Sequence, residues 1–137
     1  MIKKLLQLCL GAFLTSAGSS HLGSNRKEFL AQVPTWLPLD PDLVVITSGL
    51  VEIALGILLI TTTFIFTKYR KQIGIAVAVF FILIFPGNIN QYVNHLDAFG
   101  LDTDTKRFIR LLFQPPLVAL ALWCSDGLRL LKKLKQI

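Results

Sequence analysis

Four stretches of this chain are each close to twenty residues long and almost free of charge: Leu5 to Leu22, Leu43 to Phe66, Ile73 to Val93 and Phe108 to Cys124. A helix needs about 20 residues to cross roughly 30 Å of hydrocarbon, so each stretch is sized for one crossing. Hydrocarbon offers backbone amides no partner, and the alternating pattern of barrel strands is absent, so the crossings must be helices. With 53% apolar and 16% charged residues, the chain also lacks the polar surface of a water-soluble domain. The expected fold is all-α, a single membrane domain over residues 1–137 built as a bundle of four transmembrane helices.

The basic residues set the expected orientation. With both termini cytoplasmic, the inner segments hold Lys3, Lys4, Lys68, Arg70, Lys71, Arg129, Lys132, Lys133 and Lys135, and the outer loops hold only Arg26, Lys27, Lys106, Arg107 and Arg110. The net charge of +6 is thus a topology signal and not the footprint of nucleic-acid binding, so the partner expected first is the lipid bilayer. The start, "MIKKLLQLCLGAFLTSAG", also has the basic, apolar and small-residue succession of a secretory signal. Retention as a first span is preferred, because Ser16, Ser19, Ser20 and His21 suit a surface facing other helices. Cys9 and Cys124 lack Cys-x-x-Cys spacing and fall near the cytoplasmic face, so packing is expected of them in place of disulfide chemistry.

The connecting segments carry their own signals. Asn25 and Glu28 stand at capping-box spacing, followed by Phe29, Leu30, Val33 and Trp36 on one helical face, which predicts a short interfacial helix limited by Pro34 and Pro38. Asp40 and Pro41 suit the N-cap and first position of the second span. Asp104 or Thr105 is expected to cap the fourth. His95, Asp97, Asp102 and Asp104 offer nitrogen and oxygen ligands in the second outer loop, but their spacing matches no closed cation site, and a solvated loop is the expectation. The tail "LRLLKKLKQI" sets Leu128, Leu131 and Leu134 on one face with basic residues around it, a pattern for lying on an anionic leaflet.

The functional question is set by polar residues inside the spans. At about 1.5 Å per residue, Asn88 lies roughly 22 Å from the inner start of the third span. Ser48 and Gln114 lie roughly 9 Å in from the outer ends of their spans, Glu52 roughly 14 Å in, and His21 closes the outer end of the first. These residues converge on the outer half of the bundle. A carboxyl near mid-bilayer costs about 2.5 to 3.5 kcal/mol on insertion scales, so Glu52 is expected to be paired, with His21 as the charge-matched partner. Ser48, Glu52 and Gly56 share a small, polar face that should meet another helix closely. Arg110, one turn before Gln114, completes the candidate set for ligand binding or proton handling: His21, Ser48, Glu52, Asn88, Arg110 and Gln114.

Several short motifs in this order resemble those of the DoxX family of small bacterial membrane proteins. They are Gly18 to His21 (Gly-x-x-His), Pro34 to Pro38, Ser48-Gly49-x-x-Glu52, Phe85-Pro86-Gly87-Asn88, and Arg110 to Gln114. Leu22, Gly87 and Leu112 depart from the family pattern, and the proline that commonly follows the histidine motif is missing. The resemblance implies a four-helix membrane bundle in a bacterial plasma membrane. It points to two classes of role, because relatives are associated with quinone-linked oxidase and thiosulfate chemistry and also with assembly of membrane complexes. In the first, the cluster binds a quinone or similar small amphiphile, Glu52 exchanges a proton, His21 tunes it, and Asn88 and Gln114 hydrogen-bond carbonyl oxygens. The protein would then be an accessory subunit of a membrane redox complex, since no haem-ligand pair, cysteine cluster or nucleotide loop is present in the sequence. In the second, it is a non-catalytic partner or assembly factor whose polar cluster fixes helix register.

Overall fold

Helices make up most of the computed structural model, which describes residues 1–23 and 25–137. They are α1 (Ile2–Leu22), α2 (Arg26–Gln32), α3 (Pro41–Phe64), α4 (Arg70–Val93), α5 (Asp104–Leu112), α6 (Gln114–Cys124) and α7 (Gly127–Lys135), with one 3₁₀ turn at Thr67–Tyr69. Among the described residues there is no strand beyond an isolated Ala98–Leu101 bridge. Three helical segments, Pro41–Phe64, Thr67–Val93 and Asp104–Cys124, are long and apolar enough to cross a membrane. α1 has the length, 21 residues, but Gln7, three serines and His21 dilute it.

α1 and α3 make the most intimate pair, and glycine is the reason. A Cβ at Gly11 would stand 2.8 Å from the Gly56 carbonyl, and one at Gly18 would stand 2.6 Å from the Gly49 carbonyl. The two backbones therefore touch along a small-residue seam, the arrangement that gives apolar helices van der Waals contact that lipid does not match. α4 packs against α3 and α6, and α6 returns to α1. The core at this level is Leu10, Leu14, Leu59, Val77, Phe81, Ala121 and Cys124.

Proline divides the last apolar stretch. Pro115 and Pro116 cannot donate to the carbonyls one turn earlier, so the fourth stretch, still one candidate crossing over Asp104–Cys124, is divided into two helices joined at Phe113. Its N-cap is Thr103, which accepts from the Lys106 amide, and not Asp104 or Thr105: the first free amide lies within reach of the Thr103 hydroxyl. Asp40 caps α3 and Pro41 begins it, as their order predicts. Asn25 precedes α2, but no side-chain capping bond forms there, so the capping box is not made. α2 is also shorter than its apolar pattern implies. It ends at Gln32, because Pro34 disfavours helical geometry in the residue before it, and Val33 and Trp36 lie beyond it. Cys124 packs in the core, whereas Cys9 is exposed on the outside of α1 and contributes no packing.

The end carrying both termini is held by a polar clasp that the apolar pattern does not announce. Gln7 of α1, fully buried, donates to the Leu59 carbonyl at 2.9 Å and accepts from Arg70 Nε at 2.6 Å. Arg70 also reaches the Cys124 carbonyl and lies 3.5 Å from Asp126. Lys3 donates to Asp126 at 2.6 Å while resting over the Trp123 ring. Four segments thus meet around one guanidinium and one carboxylate. The Lys3 ammonium hydrogen-bonded to Asp126 holds that carboxyl below its ordinary value. A depressed carboxyl pKa stabilises the fold above the unfolded value and loses that stabilisation as pH falls through the folded one.

Two measurements test this architecture. Gly18→Leu should force α1 from α3 and lower thermal stability in detergent, by about 1 to 3 kcal/mol or to outright loss of folded protein, whereas Gly23→Ala, whose Cβ meets only an atom at 3.6 Å, should leave it unchanged. Asp126→Asn should lower stability at neutral pH, with the gap to the parent protein closing in melts below the usual carboxylate range. A gap of constant size at all pH values would refute the ionic clasp.

Candidate functional site

The glycine seam also positions the polar cluster. Gly49 has no side chain, and a Cβ there would lie 2.6 Å from the His21 Cβ, so the imidazole crosses α3 only because this position is glycine. Ser48 and Glu52, one turn apart, meet the two ring nitrogens. His21 Nδ1 lies 3.2 Å from Ser48 Oγ, and Nε2 lies 3.2 Å from Glu52 Oε2. The ring is buried and packs against Phe29 of α2, with centroids 3.5 Å apart and the ring planes tilted by 51°.

Hydrogen counting restricts the protonation of this group. Ser48 Oγ lies 3.0 Å from the Val45 carbonyl and gives it its one hydrogen, so Nδ1 is assigned as the donor to Ser48 Oγ. In a neutral ring Nε2 is then an acceptor, facing a carboxylate oxygen that is also an acceptor. One hydrogen must lie on the ring, on the carboxyl, or on a third group that touches both. The ring does not aim an N–H along this line: the pair is within ion-pairing distance, yet the buried Oε2 has no hydrogen-bond partner among the described residues. A buried oxygen in that state lacks about 1 to 3 kcal/mol of compensation until a donor arrives.

Opposite this pair, Pro86 takes one amide out of the α4 ladder, and the polar residues after it turn inward. Asn88 donates to Gln114 Oε1 at 3.4 Å, and Gln114 donates to the Phe81 carbonyl at 2.7 Å. Gln32, at the end of α2, donates to Asn88 at 3.3 Å and to Gln91 at 2.8 Å, while Gln91 donates to the Leu96 and Ala98 carbonyls. Gly87 lets this happen: a Cβ there would stand 3.1 Å from the Gln32 carbonyl. These amides form a closed network between α2, α4 and α6. Arg110, in the last turn of α5, behaves differently. It is half-buried, and among the described residues its guanidinium makes no hydrogen bond or ion pair with the protein.

All six sequence-derived candidates, His21, Ser48, Glu52, Asn88, Arg110 and Gln114, line one cavity of about 260 Å³. Phe81, Ile84 and Leu117 form apolar wall, and Phe29, Val33, Pro34 and Leu37 cover it from the α2 segment. Phe13, Trp36 and Leu83, which also border it, are 49%, 69% and 70% exposed, so its rim opens on an apolar surface. Gln32, Gln91 and Phe29 are participants that sequence reading missed. Gln91 carried the same signal as Asn88, an amide in an apolar helix. Gln32 and Phe29 carried none, because their segment joins the site only through the fold of α2 onto α4.

The acidic loop between α4 and α5 is an ion-pair cluster. Arg107, buried, reaches Asp97, donates to Asp104 at 2.8 Å and to the Leu96 carbonyl at 3.1 Å. His95 pairs with Asp104 at 2.7 Å and Lys106 with Asp102 at 2.7 Å. The solvated loop expected from the spacing is therefore organised about Arg107, and among the described residues no group of three His, Cys, Asp or Glu is gathered as for a metal.

Comparison with known proteins places the chain in a family whose role is open. No curated protein and no solved structure matches it. Residues 10–125, which include every residue lining the cavity, match a family described as a domain of unknown function, and the chain belongs to that family, DUF8561.

Proposed function

We propose that this protein is a DoxX-like, four-span integral protein of a bacterial plasma membrane, with both termini cytoplasmic. Its cavity binds the head of a quinone-like or other small amphiphile, and the protein serves as an accessory subunit of a membrane redox complex. α1 is the fourth span in this reading: Gln7 and His21 turn inward, and Leu5 and Phe13 face outward. Ser16 and Ser19 are exposed, against the expectation that they face other helices, and Ser19 and Ser20 return their hydroxyls to the carbonyls of Thr15 and Ser16 one turn earlier. The carrying observation is the contrast inside the cavity. Asn88 and Gln114 are satisfied by protein partners, as architecture requires, whereas Glu52 Oε2 is buried with no hydrogen-bond partner and the half-buried Arg110 guanidinium is bonded to no side chain or carbonyl among the described residues. Unsatisfied ionisable groups inside a span are costly, and a ligand that completes them is the economical account. The apolar rim at Phe13, Trp36 and Leu83 suits a ligand arriving from lipid.

Glu52 and His21, with Oε2 and Nε2 3.2 Å apart, also lie close enough to pass one proton between them. Electron transfer would be done by a partner subunit. The second reading, a non-catalytic assembly partner, draws support from the closed Gln32–Asn88–Gln114 network, whose work is complete without a ligand.

Native mass spectrometry of protein released gently from its own membrane should find a retained amphiphile in the parent and lose it in Glu52→Gln, with the fold intact. A ligand-free protein with a co-purifying polypeptide in both samples would favour the assembly reading. Asn88→Leu should lower stability by about 1 to 2 kcal/mol in thermal melts, more than Glu52→Gln does. The reverse order would make Glu52 structural.

A further inference from the structure

Resting on the reading that the cavity takes an amphiphile's head, we infer that this head is zwitterionic, a primary ammonium joined to a phosphate as in an aminophospholipid. The argument is one of charge and donor count. The cavity presents one acidic side chain, Glu52, and one guanidinium, Arg110, which form no ion pair with each other among the described residues. The two attract each other across the cavity, but no hydrogen bond joins them among the described residues; a neutral head such as a quinone would add no charge to either, an anion would answer only Arg110, and a cation only Glu52. A zwitterion answers both at once.

The two ends differ in what they can accept. Glu52 Oε2 and His21 Nε2 are acceptors 3.2 Å apart, with no donor aligned between them. A primary ammonium carries three hydrogens and serves both atoms while leaving the Nδ1 bond to Ser48 in place. A quaternary ammonium carries none. Arg110, with its five donors free, matches phosphate oxygens in the bidentate manner characteristic of guanidinium. Size agrees: a cavity of about 260 Å³ admits a small polar head. The chains would leave over the apolar rim at Leu83 and Trp36.

The test titrates the detergent-purified full-length protein with phosphatidylethanolamine, phosphatidylcholine, phosphatidylglycerol and ubiquinone, and reads retention by native mass spectrometry. Phosphatidylethanolamine should be retained about tenfold or more over each of the others, and Arg110→Gln should abolish that preference. Soluble O-phosphoethanolamine should not displace the lipid at comparable concentration. Retention of phosphatidylcholine equal to phosphatidylethanolamine would refute the role of the ammonium hydrogens, and displacement by the soluble head would refute the lipid source. Preference for ubiquinone would refute the zwitterion while leaving the amphiphile pocket standing. Failure of every amphiphile to bind would remove both. The comparison among lipids needs no variant, so it decides the matter even if Arg110→Gln misfolds.

Discussion

Backbone contact between α1 and α3 is the constraint from which the site follows. Two helices whose glycines meet at Gly11–Gly56 and Gly18–Gly49 are fixed in register and rotation, because a larger residue at any of these positions would overlap a carbonyl. That register carries His21 across α3 and delivers its two nitrogens to Ser48 and Glu52. The same rotation turns Leu10 and Leu14 into the core with Leu59 and Phe81. Packing and chemistry are thus consequences of one seam, so a substitution that loosens it should be felt first as a displaced imidazole.

Polar groups in this protein sort into two kinds, and their satisfaction separates them. Gln7, Arg70 and Asp126 close the end bearing the termini, and Gln32, Asn88, Gln91 and Gln114 tie α2 to α4 and α6. In both networks donors and acceptors find protein partners, which is what a low-dielectric interior demands of groups that only hold structure. Glu52 Oε2, buried without a hydrogen-bond partner among the described residues, and the half-buried Arg110 guanidinium break the pattern close to satisfied neighbours. Their position between the cavity and an apolar rim makes a missing partner a better explanation than imperfect packing.

Much of the fold and of the candidate site was legible from the chain itself because apolar length and intramembrane polarity are strong signals. The long apolar stretches gave helices within a few residues of their ends, and the six residues chosen for polarity and depth share one cavity. Three limits were physical. The break at Phe113 was blurred by a pattern that stays apolar through Pro115 and Pro116. The extent of α2 was overestimated because Val33 and Trp36 keep helical spacing after Pro34 has already ended the helix. The clasp at Gln7, Arg70 and Asp126 is spread over segments far apart in the chain, where each residue alone reads as an orientation signal or a surface group.

The two ends of the molecule differ in what holds them, and this decides where movement is cheapest. At the termini end, Lys3, Gln7, Arg70 and Asp126 join the ends of α1, α4 and α6 above a filled core. At the other end the cavity is covered by α2 and the chain after it, held by the Gln32 amide bonds, by Arg26 pairing with a half-exposed Asp42, and by a run of rings from His21 through Phe29 to Phe99. Phe99 keeps a left-handed backbone, φ 57°, next to Gly100 at φ 72°, a conformation that costs a non-glycine residue about 1 kcal/mol or more. The cover therefore has few long-range contacts and includes a strained anchor, the properties of segments that open locally while the remainder stays folded. Movement around the cavity is therefore cheapest in α2 and its aromatic anchor, with the glycine seam and the polar clasp unchanged.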